Sequence, residues 1–213
     1  MKNLIKTLTA LSTLASFSPL SAQDSIRKIV PVPHHGLQVS MFFGGAGGSV
    51  HANSPETGAL EFKGTTTHFM MHVGYAYKNW ATGFTLGFNS LEIKSFRLNN
   101  VEIDKGPLST IDNNLTGIYI TRYFMPLNLF ATAELGAGKF SISDRDAKVL
   151  GETNSGFAWN LKAGKEFLLG AKKRFGVGAY VNLSGITCHD KAPYASDVYS
   201  YLAPGFGIQL SYH

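Results

Sequence analysis

The sequence predicts an all-β protein, an eight-stranded antiparallel up-and-down transmembrane β-barrel. Three observations support this prediction: segments that alternate with period two, connections that are long and short in turn, and a composition rich in glycine. From Leu202 to Tyr212 every second residue is apolar or proline, and the residues between them are small or polar. One face of this strand is therefore apolar. Taken alone, the segment fits a half-buried strand of a soluble sheet equally well.

The composition fits a β protein whose outer surface does not face water. The 213 residues include 23 glycines, and only 15% are charged, against about a quarter in soluble domains. The net charge of +5 falls to +3 (17 basic minus 14 acidic residues) without Lys2 and Lys6 of the N-terminal segment. This charge is too small and dispersed to predict nucleic-acid binding. The single cysteine, Cys188, cannot form an intramolecular disulfide and is predicted to lie in a loop.

The N-terminal segment reads as a signal peptide. A basic start is followed by a short apolar core and by Ala22 at a cleavage position. An N-terminal amphipathic helix is the alternative. No later segment has the roughly 20 apolar residues of a transmembrane helix. The predicted organisation is a signal peptide at 1–22, an exposed periplasmic lead-in at 23–35 and the barrel at 36–213.

Eight segments of the mature chain alternate with period two. Each has about 10 to 14 residues, which is longer than the 5 to 6 of a typical strand and enough to cross a membrane when tilted. In seven of them the phase is clear, with large apolar residues on one face. The predicted strands are Gly36–Gly47, Gly64–Tyr77, Trp80–Ser90, Leu115–Phe124, Leu129–Phe140, Gly156–Leu168, Arg174–Ile186 and Val198–His213.

The fourth strand can be read in two phases. One phase turns Ile118, Ile120 and Phe124 outward, together with Arg122. The other phase turns Leu115, Tyr119 and Tyr123 outward. We favour the first phase.

The connections between the predicted strands alternate long and short, as in outer-membrane barrels. Ser49–Lys63 and Ser143–Ser155 read as long loops, and Leu91–Asn113 could extend a hairpin beyond the membrane. A soluble barrel of lipocalin type is the alternative architecture. An eight-stranded barrel has a narrow interior, so we expect the small-residue faces to point inward and the bulky faces outward.

This pattern resembles the small eight-stranded outer-membrane barrels, namely the opacity and adhesion-type surface proteins and the barrel domain of outer-membrane protein A. The resemblance implies an outer-membrane location with both termini in the periplasm, contact with outer-membrane lipid and the barrel-assembly machinery, and an unknown extracellular partner. Such barrels commonly end in an aromatic residue. Here His213 follows the aromatic Tyr212 and does not fit the pattern.

Polar residues on the inward faces are the candidate site residues. His68 and His72 lie about 13 Å apart along one strand, too far to bind one metal ion. Lys162 is expected to pair with Glu134 or Glu166, because buried charges need partners; solvated groups in a wet lumen are the alternative. No catalytic, cofactor-binding or metal-binding residue is predicted. The lumen-facing candidates are His68, His72, Glu134, Asn160, Lys162, Glu166, Asn182 and Gln209.

Aromatic residues gather near both ends of the predicted strands, as in the interfacial girdles of membrane barrels. Those near the short turns are Tyr75, Tyr77, Trp80, Tyr123, Phe124 and Phe175, and those near the long loops are Phe157 and Trp159.

Three functions are compatible with this architecture. The first is a structural or surface-interaction role through the extracellular loops, and the second is a narrow passive pore. A lipid-modifying enzyme is the third and the least favoured. Lipid-A-deacylating barrels carry an inward His-x-Ser pattern, whereas Ser49-Val-His51 has the reverse order. We therefore predict that the protein is not an enzyme.

Overall fold

The computed structural model describes residues 34–54, 58–104, 108–170, 172–191 and 197–213, except for the side chain of Ala46. The predicted signal peptide lies outside these residues, as does the lead-in up to residue 33. The described residues contain no helix long and apolar enough to cross a membrane. Their strands are β1 Gly36–Ser54, β2 Gly58–Tyr77, β3 Trp80–Leu98, β4 Val101–Ile103, β5 Leu108–Phe124, β6 Leu129–Asp144, β7 Val149–Glu152, β8 Gly156–Leu169, β9 Phe175–His189 and β10 Val198–Tyr212.

Eight long antiparallel strands form a closed ring in the order β1–β2–β3–β5–β6–β8–β9–β10. β10 closes the ring on β1, from Val39 opposite Tyr212 to Asn53 opposite Val198. Closure removes both edges of the sheet. The short strands β4 and β7 lie off the ring and pair with β3 and β6. The predicted eight-stranded antiparallel barrel is confirmed.

An apolar belt surrounds the barrel. On β3 it runs from Trp80 to Phe88, and nine residues at about 3.3 Å each span a band roughly 25 Å tall when tilted. In β5, the fourth long strand, Ile118 is 60% exposed whereas Tyr119 is 2% exposed. This confirms the favoured phase, in which Ile118 points outward. Belt residues that are large and exposed include Leu37, Phe43, Tyr75, Tyr77, Phe84, Phe124, Leu135, Phe157, Leu161, Phe167, Phe175, Leu202, Phe206 and Ile208.

The strands continue past the belt, so the predicted loop at Ser49–Lys63 is wrong. Residues 55–57 alone separate β1 from β2. The reason is that beyond the belt the apolar residues occupy the inward positions instead of the outward ones, as β3 shows clearly. Up to Phe88 the outward residues are apolar except for Thr82, but beyond it Leu91 and Ile93 are buried inside while Glu92 is exposed. A charged residue on the outer face beyond the belt fits a surface that meets water, and there the apolar residues occupy the inner face.

The small-residue faces point inward and the bulky faces outward, as expected, but large side chains among the small ones fill the interior. Glycines do face inward, but neighbouring rings occupy the space that they leave. A Cβ on Gly164 would lie 2.6 Å from the Phe130 ring, and one on Gly207 would lie 2.6 Å from the Tyr180 hydroxyl. We call Phe42, Met70, Ala76, Ala81, Tyr119, Tyr123, Phe130 and Tyr180 the inner cluster. The outer cluster is Val50, Phe62, Leu91, Ile93, Ile111, Leu115, Phe140, Ala158, Ile186, Cys188, Tyr201 and Ala203.

Two further predictions are corrected by these clusters. Cys188 is not a loop thiol: it is fully buried in β9, and its Sγ–H donates to the carbonyl of Gly138 at 3.2 Å. Tyr123 is not a girdle residue, because it is 2% exposed and its hydroxyl accepts a hydrogen bond from Gln38 inside the barrel. Trp159 is half-buried, and the other predicted girdle residues are exposed on the outer face.

Candidate functional site inside the barrel

All eight polar candidates lie inside the barrel. None is more than 9% exposed. They do not form one site but separate into a central group around Glu134 and a group around Glu166 near the end where β1 begins and β10 ends. Those of the central group are His68, His72, Glu134, Asn160, Lys162 and Asn182, and those near the strand ends are Glu166 and Gln209.

The central group contains a buried ion pair. The Lys162 ammonium donates to Glu134 Oε1, and His72 Nε2–H donates to the same oxygen at 3.0 Å. Thr85 Oγ1–H donates to the other carboxylate oxygen at 3.2 Å. The side chains of Lys162 and Glu134 have no exposed area, which contradicts solvated groups in a wet lumen. Of the two predicted pairings, the one with Glu134 is confirmed.

Aromatic rings surround this ion pair. Lys162 Nζ lies 4.1 Å from the centre of the Phe42 ring, a distance that permits a cation–π interaction. His72 stacks on Tyr119 with ring centroids 4.1 Å apart. The pair therefore lies in a poorly solvated environment, in which its two charges interact more strongly than they would in water.

The two histidines of β2 have different partners. His72 contacts Glu134, whereas His68 Nε2 forms a hydrogen bond with the Tyr180 hydroxyl. In the same group, Asn182 Nδ2 donates to Asn160 Oδ1 at 3.4 Å. Hydrogen bonds thus link the other five side chains of the central group to one another, whereas His68 bonds to Tyr180 of the inner cluster.

Glu166 lies at the centre of the second group and accepts most of its hydrogen bonds. Its carboxylate accepts hydrogen bonds from Ser211 Oγ–H, from Asn128 Nδ2 at 3.1 Å and from Gln209 Nε2 at 3.4 Å. His213 Nε2–H donates to it at 3.0 Å. His213, which did not fit the sequence pattern, therefore has a specific place at the end of the lumen.

His34 completes this group and is not part of an exposed lead-in. It is 3% exposed, and its ring stacks on Tyr123 with centroids 3.7 Å apart. Its backbone N–H donates to Asn79 Oδ1 at 3.0 Å. Its ring nitrogens contact His213 Nδ1 at 3.0 Å and Asn128 Oδ1 at 2.7 Å. We call His34, Glu166 and His213 the His–Glu cluster.

Burial within the His–Glu cluster lowers the pKa of His34, because the charged imidazolium would lose its hydration there.

The part of the barrel beyond the belt carries ion pairs on its surface. Glu61 lies 2.9 Å from Lys63 and 3.7 Å from Arg97. The hydrogen bond from Lys63 is the main cause that lowers the pKa of the Glu61 carboxyl. Glu152 of β7 pairs in the same way with Lys139 and Lys191. Such exposed pairs contribute little stability each, and they are typical of a surface that faces water.

Solved structures provide the comparison for this architecture. The chain is similar to the outer membrane protein AlkL in lipid bilayers, with a TM-score of 0.50 and 14% identity over 85% of this chain and 91% of that one. The chain has the fold of a small outer-membrane β-barrel. This barrel also matches Neisserial surface protein A, with a TM-score of 0.47 and 11% identity over 82% of this chain and 96% of that one. It matches the Escherichia coli outer membrane protease OmpT with a TM-score of 0.45 and 9% identity over 83% of this chain and 96% of that one. No protein-family model and no curated protein matches the sequence.

Sequence reasoning about this barrel missed the outer cluster and the His–Glu cluster. The sequence does contain a signal for the outer cluster, because every second residue of β3 continues to point inward from Asn89 to Leu91 and Ile93. It contains no signal for the His–Glu cluster, because residues 34, 166 and 213 meet only when the ring of strands closes.

Proposed function

We propose that this protein spans the outer membrane as a closed barrel with both termini in the periplasm and binds an external partner through the outer ends of its strands. The filled interior is the observation that carries the proposal. The outer cluster, the central ion pair and the His–Glu cluster occupy successive levels of the lumen. This filling favours a non-conducting barrel over the narrow passive pore.

The partner-binding end is built from regular strands. β1, β2 and β3 extend past the belt as far as Ser54, Gly58 and Leu98, around an apolar core, which supports a rigid surface. The short strands β4 and β7 pair with one long strand each in the described part of the chain. A strand with a free edge can receive a strand from another protein.

Exposed apolar side chains on β4 and β7 support a protein partner. Val101 is 64% exposed and Ile103 is 38% exposed, while Val149 and Leu150 are 51% and 49% exposed. They lie beyond the belt and beside the ion pairs of Glu61 and Glu152. An apolar contact rimmed by charges is typical of protein interfaces.

Conductance across planar lipid bilayers tests the closed barrel. The purified, refolded protein is expected to insert without producing a stable single-channel current, because the buried side chains leave the ions no hydrated path. A general porin reconstituted in parallel provides the positive control. A reproducible unitary current from the wild-type chain that changes in size with Lys162→Met would place the ion path through the central group and contradict the proposal.

A further inference from the structure

We propose that the His–Glu cluster is a binding site for one divalent transition-metal cation of the zinc type, at the end of the barrel where β1 begins and β10 ends. The inference rests on the geometry of three side chains and does not depend on the proposed function. Two imidazoles and one carboxylate are the ligands that such ions prefer in proteins.

The donor atoms are close enough to share one ion. One ligand atom from each of His34, Glu166 and His213 lies within 4.8 Å of the other two. Zinc binds nitrogen and oxygen at about 2.0–2.2 Å, so donors on one ion lie roughly 3.5 Å apart. Small rotations of the His34, Glu166 and His213 side chains would bring the donor atoms to the shorter separation. Asn128 Oδ1, 2.7 Å from His34 Nε2, or a water molecule supplies the fourth ligand.

The three side chains are already held in place by contacts with neighbouring residues. Asn128, Gln209 and Ser211 donate to the Glu166 carboxylate. Stacking on Tyr123 and the backbone bond to Asn79 fix His34. Hydrogen-bonded carboxylates and oriented imidazoles characterise metal sites, because such partners set the direction of the donor lone pairs.

The Glu166 carboxylate also favours a cation. Its side chain is fully buried, and it lies 3.7 Å from His34 Nε2 and 3.0 Å from His213 Nε2. A divalent ion among these atoms would give the buried carboxylate a positive partner.

Solvent reaches the cluster from the strand ends. A cavity of about 170 Å³ is lined by His34, His213 and the exposed basic residues Lys172, Lys173 and Arg174. These basic side chains repel an approaching cation, and salt screens that repulsion. Metal association should therefore be faster at high ionic strength, although the buried ligands are unchanged.

The bound ion would connect three separate segments. His34 precedes β1, Glu166 lies on β8, and His213 follows β10. β1 and β10 are the strands that close the ring. The metal would therefore join the two strands at the closing pair and stabilise the folded barrel by mass action.

The test is a zinc titration of the untagged, metal-free barrel in detergent micelles against a chromophoric chelator. We expect one equivalent of zinc to bind, and His34→Gln or His213→Gln to weaken the affinity at least tenfold. Cobalt in place of zinc should give visible absorption bands that His213→Gln removes. The matched control is His35→Gln, because His35 is adjacent and exposed; it should leave both readouts unchanged.

Three results would overturn the proposal. One is the absence of stoichiometric binding to the folded wild-type barrel. Another is an affinity that both His34→Gln and His213→Gln leave unchanged, and the third is an affinity that His35→Gln lowers equally. Heat-dependent gel mobility shows that each variant is folded. A variant of Glu166 is not required, since Glu166 also supports the fold through its other hydrogen bonds.

Discussion

Replacing Lys162 by methionine is expected to lower the free energy of unfolding of the barrel by about 3–5 kcal/mol. The substitution keeps most of the side-chain volume but removes the cation from the buried Glu134 carboxylate. His72 and Thr85 still donate to that carboxylate, but they do not replace the lost charge. Denaturant unfolding in detergent micelles or lipid vesicles, followed by tryptophan fluorescence, measures the change.

Lys165→Met is the matched control for this prediction. Lys165 lies on the same strand but is exposed on the outer face, so the same substitution should change the stability by about 1 kcal/mol or less. The double variant Lys162→Met/Glu134→Gln should recover part of the loss, because it removes the unpaired charge. Equal stability of Lys162→Met and Lys165→Met would show that the buried pair has no structural role.

Leu91→Ala is expected to destabilise the barrel by about 2–5 kcal/mol. Leu91 is fully buried in the outer cluster, beside residues from several other strands. Its truncation leaves a cavity in a part of the barrel that lies beyond the belt, where lipid cannot fill it. The same unfolding experiment measures this effect.

Leu150→Ala provides the comparison. Leu150 also lies beyond the belt, on β7, but is 49% exposed, and its truncation should stay within about 0.5 kcal/mol. If residues 91–113 formed a solvated loop, both substitutions would have small effects. A small loss for Leu91→Ala would therefore contradict the extended, packed outer end.

The part of the fold within the belt could be predicted from the sequence. Leu202 to Tyr212 alternates without interruption, because one face meets lipid and the other the interior. Beyond the belt, water reverses the requirement on the outer face. Val50 and Phe62 are inward residues there, but among Gly, Ser and Asn they resemble loop residues.

The inward positions of the site could be predicted, but their partners could not. The spacing along the predicted strand already separates Glu166 from Lys162 by about 13 Å. The sequence does not show, however, that Glu134 is within reach of Lys162. The register shows this: Glu134 lies opposite Asn160 on β8, so Lys162 is its diagonal neighbour.

The contacts of His213 depend on features even farther apart in the chain. Its ring meets His34 and Glu166 only because β10 pairs with both β1 and β9. Local patterns contain no information about this closure. The amphipathic pattern therefore predicts the wall of the barrel, whereas the chemistry of its lumen follows from register and ring closure.

Heat-dependent gel mobility of the protein extracted from outer membranes tests the central claim most directly. A closed membrane barrel stays folded in dodecyl sulfate until it is boiled, so the unheated protein should migrate as a separate, compact band. Boiling should shift that band to the position of the unfolded chain. A protein found only in the soluble periplasmic fraction, with the same mobility before and after boiling, would contradict the account.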